Sequence, residues 1–186
     1  MRRLFLILVA FILSHNFVSG QSISNPEKWN IKVGYAKYGI AKWIVTTTSV
    51  TQLKDDNIRI ELNHKLVNTI DAGVYIGYSK FRLIDSVADE QRIHTPFYGV
   101  NCNVHLLPYL INHDSRFDLY LTAKFGGYYF MSPPNFYMRG SRVEYGLGVG
   151  LTYNVLKNIG LYCDYSWGKY FFNDVFKLRY GLSVKF

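Results

Sequence analysis

Residues 176–186 run Phe-Lys-Leu-Arg-Tyr-Gly-Leu-Ser-Val-Lys-Phe. The even positions Phe176, Leu178, Tyr180, Leu182, Val184 and Phe186 are apolar or aromatic, whereas Lys177, Arg179, Gly181, Ser183 and Lys185 between them are basic or small. Alternate side chains of a strand point to opposite faces, so a period of two makes one face wholly apolar. A soluble sheet and a membrane sheet can both carry such a strand. What the apolar face meets has to be decided from the rest of the chain.

Seven more segments repeat the pattern. They are Trp29–Tyr38, about Asn57–His64, Ala72–Leu83, His94–Leu107, Arg116–Tyr129, Arg142–Val155 and Ile159–Lys169. The sixth is the cleanest, with Val143, Tyr145, Leu147, Val149, Leu151 and Tyr153 against Glu144, Gly146, Gly148, Gly150, Thr152 and Asn154. Turn chemistry separates the segments: Lys65–Asp71, Asn112-His113-Asp114-Ser115, Pro133-Pro134 and Lys157-Asn158. Residues 39–56 have β propensity but little alternation, and are expected to form a long loop with some strand extension. No window after residue 21 is apolar for the eighteen or so residues that a membrane-spanning helix needs. An aromatic content of 17% with 15 glycines suits a β architecture.

The first twenty residues form a signal peptide by pattern: Arg2-Arg3, an apolar run Leu4–Leu13, then Val18-Ser19-Gly20, with cleavage expected before Gln21. Residues 21–28 are a short polar leader, and 29–186 form one domain. Loss of Arg2 and Arg3 lowers the formal charge of +8 to about +6. The remaining charges stand singly, with no basic cluster or basic helix along the chain, so nucleic acid is not an expected partner. Cys102 and Cys163 fall on the apolar faces of the fourth and seventh segments, too far apart to bond, and are expected as two small hydrophobes.

Three features turn the apolar face towards lipid. Aromatics sit near its ends, as at Tyr145, Tyr153, Trp167, Phe176 and Phe186. Glycines share the polar face, which suits a crowded lumen and not a water-facing surface. A signal peptide precedes the segments. The expected fold is all-β: a closed antiparallel up-and-down transmembrane β-barrel of eight strands, with the N- and C-termini on the periplasmic side.

Residues 29–186 resemble the small eight-stranded outer-membrane β-barrels, the OmpX, OmpA-transmembrane-domain and OmpW-like group. They resemble in particular the outer-membrane β-barrel domain proteins of the Bacteroidetes. The alternation carries the resemblance, with Phe117-Asp118-Leu119-Tyr120-Leu121 leading into Gly126-Gly127, Gly146-x-Gly148-x-Gly150, and Tyr180 to Phe186. It implies a Gram-negative outer-membrane location and a barrel-assembly signal at Tyr180, Leu182, Val184 and Phe186. It also implies outer-membrane lipid, lipopolysaccharide and the barrel-assembly machinery as partners.

The interior of an eight-stranded barrel is just wide enough for side chains to fill it. Lys32, Arg59, Glu61, Asp118, Lys124, Glu144, Asp164, Lys177 and Arg179 share the polar faces and are expected to form a lumen ion network. No cofactor or metal is expected, because the histidines lack ligand spacing. Catalysis has one candidate, His94 beside Asp85, Ser86 and Glu90, set against an ordinary polar loop. The outer loops, 39–56, 84–93, 130–141 and 170–175, remain for an extracellular ligand. Among them Phe130, Met131, Phe136, Tyr137 and Met138 suggest either a contact patch or a loop folded over the rim. The expected function is a non-enzymatic structural or surface-interaction role. The alternatives are a narrow channel for small or hydrophobic solutes and a lipid A-modifying enzyme.

Overall fold

A computed structural model describes residues 28–38, 41–45, 49–84, 90–110, 116–131, 140–170 and 173–186. The expected signal peptide, the leader up to residue 27, and Asp85, Ser86, Phe136, Tyr137 and Met138 lie outside the described residues.

The strands are β1 (Trp29–Tyr38), β2 (Ala41–Val45), β3 (Ser49–Val67), β4 (Ile70–Ile84), β5 (Glu90–His105), β6 (Phe117–Phe130), β7 (Gly140–Asn154), β8 (Ile159–Tyr170) and β9 (Asn173–Lys185). One helical turn, α1 (Leu107–Leu110), joins β5 to β6. From β2 to β9 each strand pairs antiparallel with the next, and β1 pairs with both β9 and β3, which closes the ring. Residues Lys37 and Asp56 are opposed at the end of β1, and Ala41 and Leu53 resume the pairing in β2. β1 and β2 therefore share one stave of an eight-stave barrel.

Three expectations are corrected here. Much of 39–56 is strand, because Trp, Ile, Val and Thr favour the extended chain even without alternation. β5 begins at Glu90 and not at His94, since Glu90 to Ile93 stay paired with a β4 that runs on to Ile84. It ends at His105, and Leu107 belongs to α1, whose first turn accepts Pro108 without losing a hydrogen bond.

Following the ladder from Lys65, beside Lys28, through Asp71, Asn103, Thr122, Gly148, Ser166 and Lys177 returns to β1 at Tyr38, a stagger of about ten residues. Such a stagger tilts the staves and keeps the bore narrow. Trp29 and Phe186 exchange backbone hydrogen bonds of 2.9 Å, so the first and last staves meet at one end. We call this the terminus end. The connections at 68–69, 106–116 and 155–158 share it, and the connections at 85–89, 132–139 and 171–172 share the opposite, far end.

The faces are inverted relative to a soluble barrel. Ile58, Ile76, Val100, Phe125, Leu147, Leu161 and Leu182 point outward, with Leu147 62% exposed. Lys32, Arg59, Glu61, Asn63, Asp164 and Arg179 point inward and are buried, each at 2% exposure or less. Aromatics edge the outer belt. Trp29 packs on His64 at 4.4 Å between ring centroids and Phe117 on Tyr153 at 5.0 Å, at the terminus end. Tyr35 packs on Tyr180 at 5.9 Å nearer the far end. From Tyr153 to Tyr145 on β7 is roughly 26 Å of strand, or about 20 Å of height at a tilt near 40°. A membrane barrel needs an apolar band of about this height. Cys102 and Cys163 are exposed on β5 and β8, with β6 and β7 between them.

Candidate functional site

Among the described residues, the lumen concentrates the buried charged and polar side chains. At its centre stands Asp164 of β8. Its Oδ1 lies 3.5 Å from Arg179 Nη1 and 3.7 Å from Lys124 Nζ, and its Oδ2 lies 3.7 Å from Arg59 Nη2. Arg59 also pairs with Glu61. Arg179 Nη2 donates to Asn57 Oδ1 at 3.3 Å. Asn101 Nδ2 donates to Asn63 Oδ1 at 2.7 Å and reaches Glu61 Oε2 at 3.5 Å. Buried charges survive only when paired and hydrogen-bonded, and here five of them answer one another from β3, β6, β8 and β9.

Lys32 is placed differently. Its register partner is Glu61, but its ammonium lies over the Tyr120 ring, 3.8 Å from the centroid, and 5.6 Å from that of Tyr162. A desolvated cation over an aromatic face is an attractive contact of up to about 2 kcal/mol. Arg59 similarly lies 5.1 Å from the Tyr75 ring centroid.

The glycines of the polar faces are slots for these rings. Tyr120 is the register partner of Gly150, Phe97 of Gly77 and Tyr75 of Gly99. A Cβ added at Gly150, Gly77 or Gly99 would run into the opposing ring. Two slots extend across a second strand: Gly99 is paired with Gly126 beneath Tyr75, and Gly181 with Gly34 beneath Tyr162. The small residues thus let large rings lie flat across a bore with no room to hold them upright.

A second polar cluster closes the terminus end. His105 Nδ1 is 2.8 Å from Asp118 Oδ1, and its Nε2 is 3.0 Å from Asp71 Oδ2. Asn103 Nδ2 donates to Asp71 Oδ1 at 2.5 Å. Carboxylates only accept, so only the doubly protonated imidazolium satisfies both contacts at once. Neither ring nitrogen is left open to a metal. Towards the far end the lumen turns apolar: Phe97, Tyr128 and Phe130 are buried, with Tyr128 and Phe130 edge to face at 5.0 Å. Ser79 and Thr95, opposed in register, are fully buried there.

The ion network expected from sequence is therefore divided. Arg59, Glu61, Lys124, Asp164 and Arg179 meet at the centre. Lys32 stacks beside them. Asp118 joins His105 instead, and Glu144 is half-buried on the inner face of β7. The side chain of Lys177 lies outside the described residues. Sequence reasoning passed over Asp71, assigned to a turn, and gave His105 no role. It also left Asn101, Asn103, Tyr75, Tyr120 and Tyr162 without a role. All share the inward parity of their strands, a signal that was available. Phe130 is corrected from a loop residue to a lumen residue of β6; Met131 beside it is exposed and bridges to His94. His94, expected at the start of the fourth segment beside a polar loop, stands within β5 against the Tyr78 hydroxyl. Tyr180, Leu182, Val184 and Phe186 are all exposed on the outer belt.

A closed eight-stave antiparallel barrel with an apolar exterior and a filled polar bore is the fold of the small outer-membrane β-barrels. Three solved structures illustrate the likeness. Neisserial surface protein A matches with a TM-score of 0.63 at 15% identity, over 85% of this chain and 97% of that one. The N-terminal β-barrel domain of Pseudomonas aeruginosa OprF matches at 0.54 and 10% identity, over 86% and 99%. The outer membrane protein OprG of the same species matches at 0.54 and 9% identity, over 86% and 96%. No protein-family model matches the chain, and no curated protein does. The likeness is one of fold.

Proposed function

We propose that the chain is a non-enzymatic integral protein of a Gram-negative outer membrane, exported with a signal peptide cleaved before Gln21. The terminus end faces the periplasm. The protein serves a structural or surface-interaction role through its outer face and far-end connections, where an extracellular ligand would bind. The observation that carries this reading is the filled bore: Asp164 with its three cations, the four rings on their glycine slots and the His105 cluster occupy it together. A bore so occupied has no passage to offer, and function falls to the exterior. Tyr180, Leu182, Val184 and Phe186 present an alternating apolar strand to the barrel-assembly machinery, and lipopolysaccharide and other outer-membrane lipid cover the belt. Planar-bilayer recording of the refolded protein tests the reading. Closed membranes are expected, and discrete, repeatable openings would establish the narrow channel instead.

A further inference from the structure

We infer that the terminus end of the barrel is a docking surface for an acidic, leucine-bearing segment of a periplasmic protein. The inference rests on the outer-membrane reading above, which sets this end in the periplasm, and adds a partner and a place. Five cations edge this end: Lys28, Lys65, Arg116, Lys157 and Lys185. The Lys65 N–H donates to the Lys28 carbonyl at 2.8 Å, and Trp29 and Phe186 join the next two staves. The Lys185 N–H donates to the Asn158 carbonyl at 2.8 Å, beside Lys157. On the other side of that turn the Asn154 N–H donates to the Arg116 carbonyl at 2.7 Å. Positions spread from 28 to 185 along the chain thus form one arc. Among the described side chains the carboxylates nearest this end are Asp71 and Asp118, and both already contact His105.

Parity decides what the arc can meet. Lys28, Lys65, Arg116 and Lys185 fall in step with the buried Lys32, Glu61, Tyr120 and Ser183, so they belong to the inner face of their staves. Lys65 and Lys185 are half-buried there. These cations edge the mouth of the bore. Lipid headgroups surround the barrel from outside, whereas a partner that caps its end reaches the mouth. The turns supply apolar contacts. Gly, Pro, Asn, Asp and Ser are the usual turn residues. Here Lys65-Leu66-Val67-Asn68 and Val155-Leu156-Lys157-Asn158 echo one another, and Leu66 and Leu156 are each 61% exposed. Both lie beyond the Trp29–His64 and Phe117–Tyr153 contacts that edge the belt. Exposed apolar groups rimmed by charge mark an interaction site. A glycan or nucleic acid would answer the cations and leave Leu66, Val67, Val155 and Leu156 in water. An acidic peptide segment with leucine side chains answers both.

Fluorescence anisotropy tests this with the refolded barrel in phosphatidylcholine nanodiscs and a short labelled peptide alternating glutamate and leucine. Wild type binds the peptide about tenfold or more tightly than the same peptide with glutamine for glutamate, and added salt narrows the difference. The variant K28Q/K65Q/K185Q loses the preference, and L66S/L156S weakens binding about tenfold. Lys80→Gln at the far end keeps wild-type affinity. Equal binding of the two peptides, a preference that survives in the triple variant, or binding no better than to empty nanodiscs overturns the inference. So does a triple variant that keeps the peptide but loses phosphatidylglycerol in native mass spectrometry, which makes the arc a lipid site. Should the triple variant lack a heat-modifiable band, Leu156→Ser and Lys157→Gln, both in an exposed turn, are read singly for a loss of about twofold or more. Labelling of Lys157→Cys by an impermeant maleimide, in a C102S/C163S background, separates the two levels. Labelling of intact cells puts the terminus end outside and strikes the periplasmic reading, whereas a shielded end without peptide preference strikes this inference alone.

Discussion

Asp164 of β8 and Arg59 of β3 face each other at 3.7 Å across the lumen, from staves that share no backbone pairing. With Arg179 and Lys124 also turned on Asp164, this one carboxylate is shared by three buried cations, of which Arg59 has a second carboxylate in Glu61. Asp164→Ala leaves them facing one another in a confined space, and the loss is expected to be about 3–5 kcal/mol, the range for breaking a buried pair. Urea midpoints of the barrel refolded into vesicles measure it. Adding Lys124→Met should recover part of the loss, because the cation whose ion pair is with Asp164 is then gone.

Gly150 and Tyr120 make a second testable pair. Gly150→Val puts a branched side chain where the ring lies, and overpacking of this kind costs about 1–3 kcal/mol or prevents closure. The heat-modifiable band should weaken or vanish. Tyr120→Gly in the same chain should bring it back. Failure to recover would mean that Gly150 is needed for its backbone and not for the ring.

His105 ties β4, β5 and β6 through Asp71 and Asp118. Replacing it with alanine leaves two carboxylates turned towards a gap without their shared donor. A cost of about 1–3 kcal/mol is expected, the price of stranding buried hydrogen-bonding groups. His105→Ala combined with Asp118→Asn should cost less than the sum of the two single changes, as contacting residues do in a double-mutant cycle.

The outward face can be tested by depth. Val149→Arg, midway between Tyr145 and Tyr153 on β7, should cost about 2–4 kcal/mol in a bilayer, whereas Leu156→Arg in the terminus-end turn should cost no more than about 1 kcal/mol. Equal effects at the two sites would argue against lipid around the belt.

The staves were legible in the sequence because a period of two is written in single residues: Val143 to Tyr153 declares its outer face without reference to any partner. Closure through β1 and β9 was legible for the same reason. The arrangement within the lumen was not. Parity puts Asp118, Asp164 and Glu144 on one face but says nothing of height, and height depends on the stagger between strands, which no single strand contains. Hence Asp118 meets His105 and not Arg59. Phe130 lies next to Met131 and two residues from Ser132-Pro133, and its loop-like surroundings hid that it completes β6.

The joining of β9 to β1 also governs the order in which the molecule can be made. Ser183 Oγ donates to Asn30 Oδ1 at 2.8 Å, between residues 153 positions apart in the chain. Until that seam forms, two long strand edges stand with their amides and carbonyls unmatched, a state intolerable in hydrocarbon and prone to sticking in water. Contacts so distant along the chain close slowly. The earliest stave to be synthesised must therefore wait for the latest, and assembly is expected to be a single late event and not a stave-by-stave accretion.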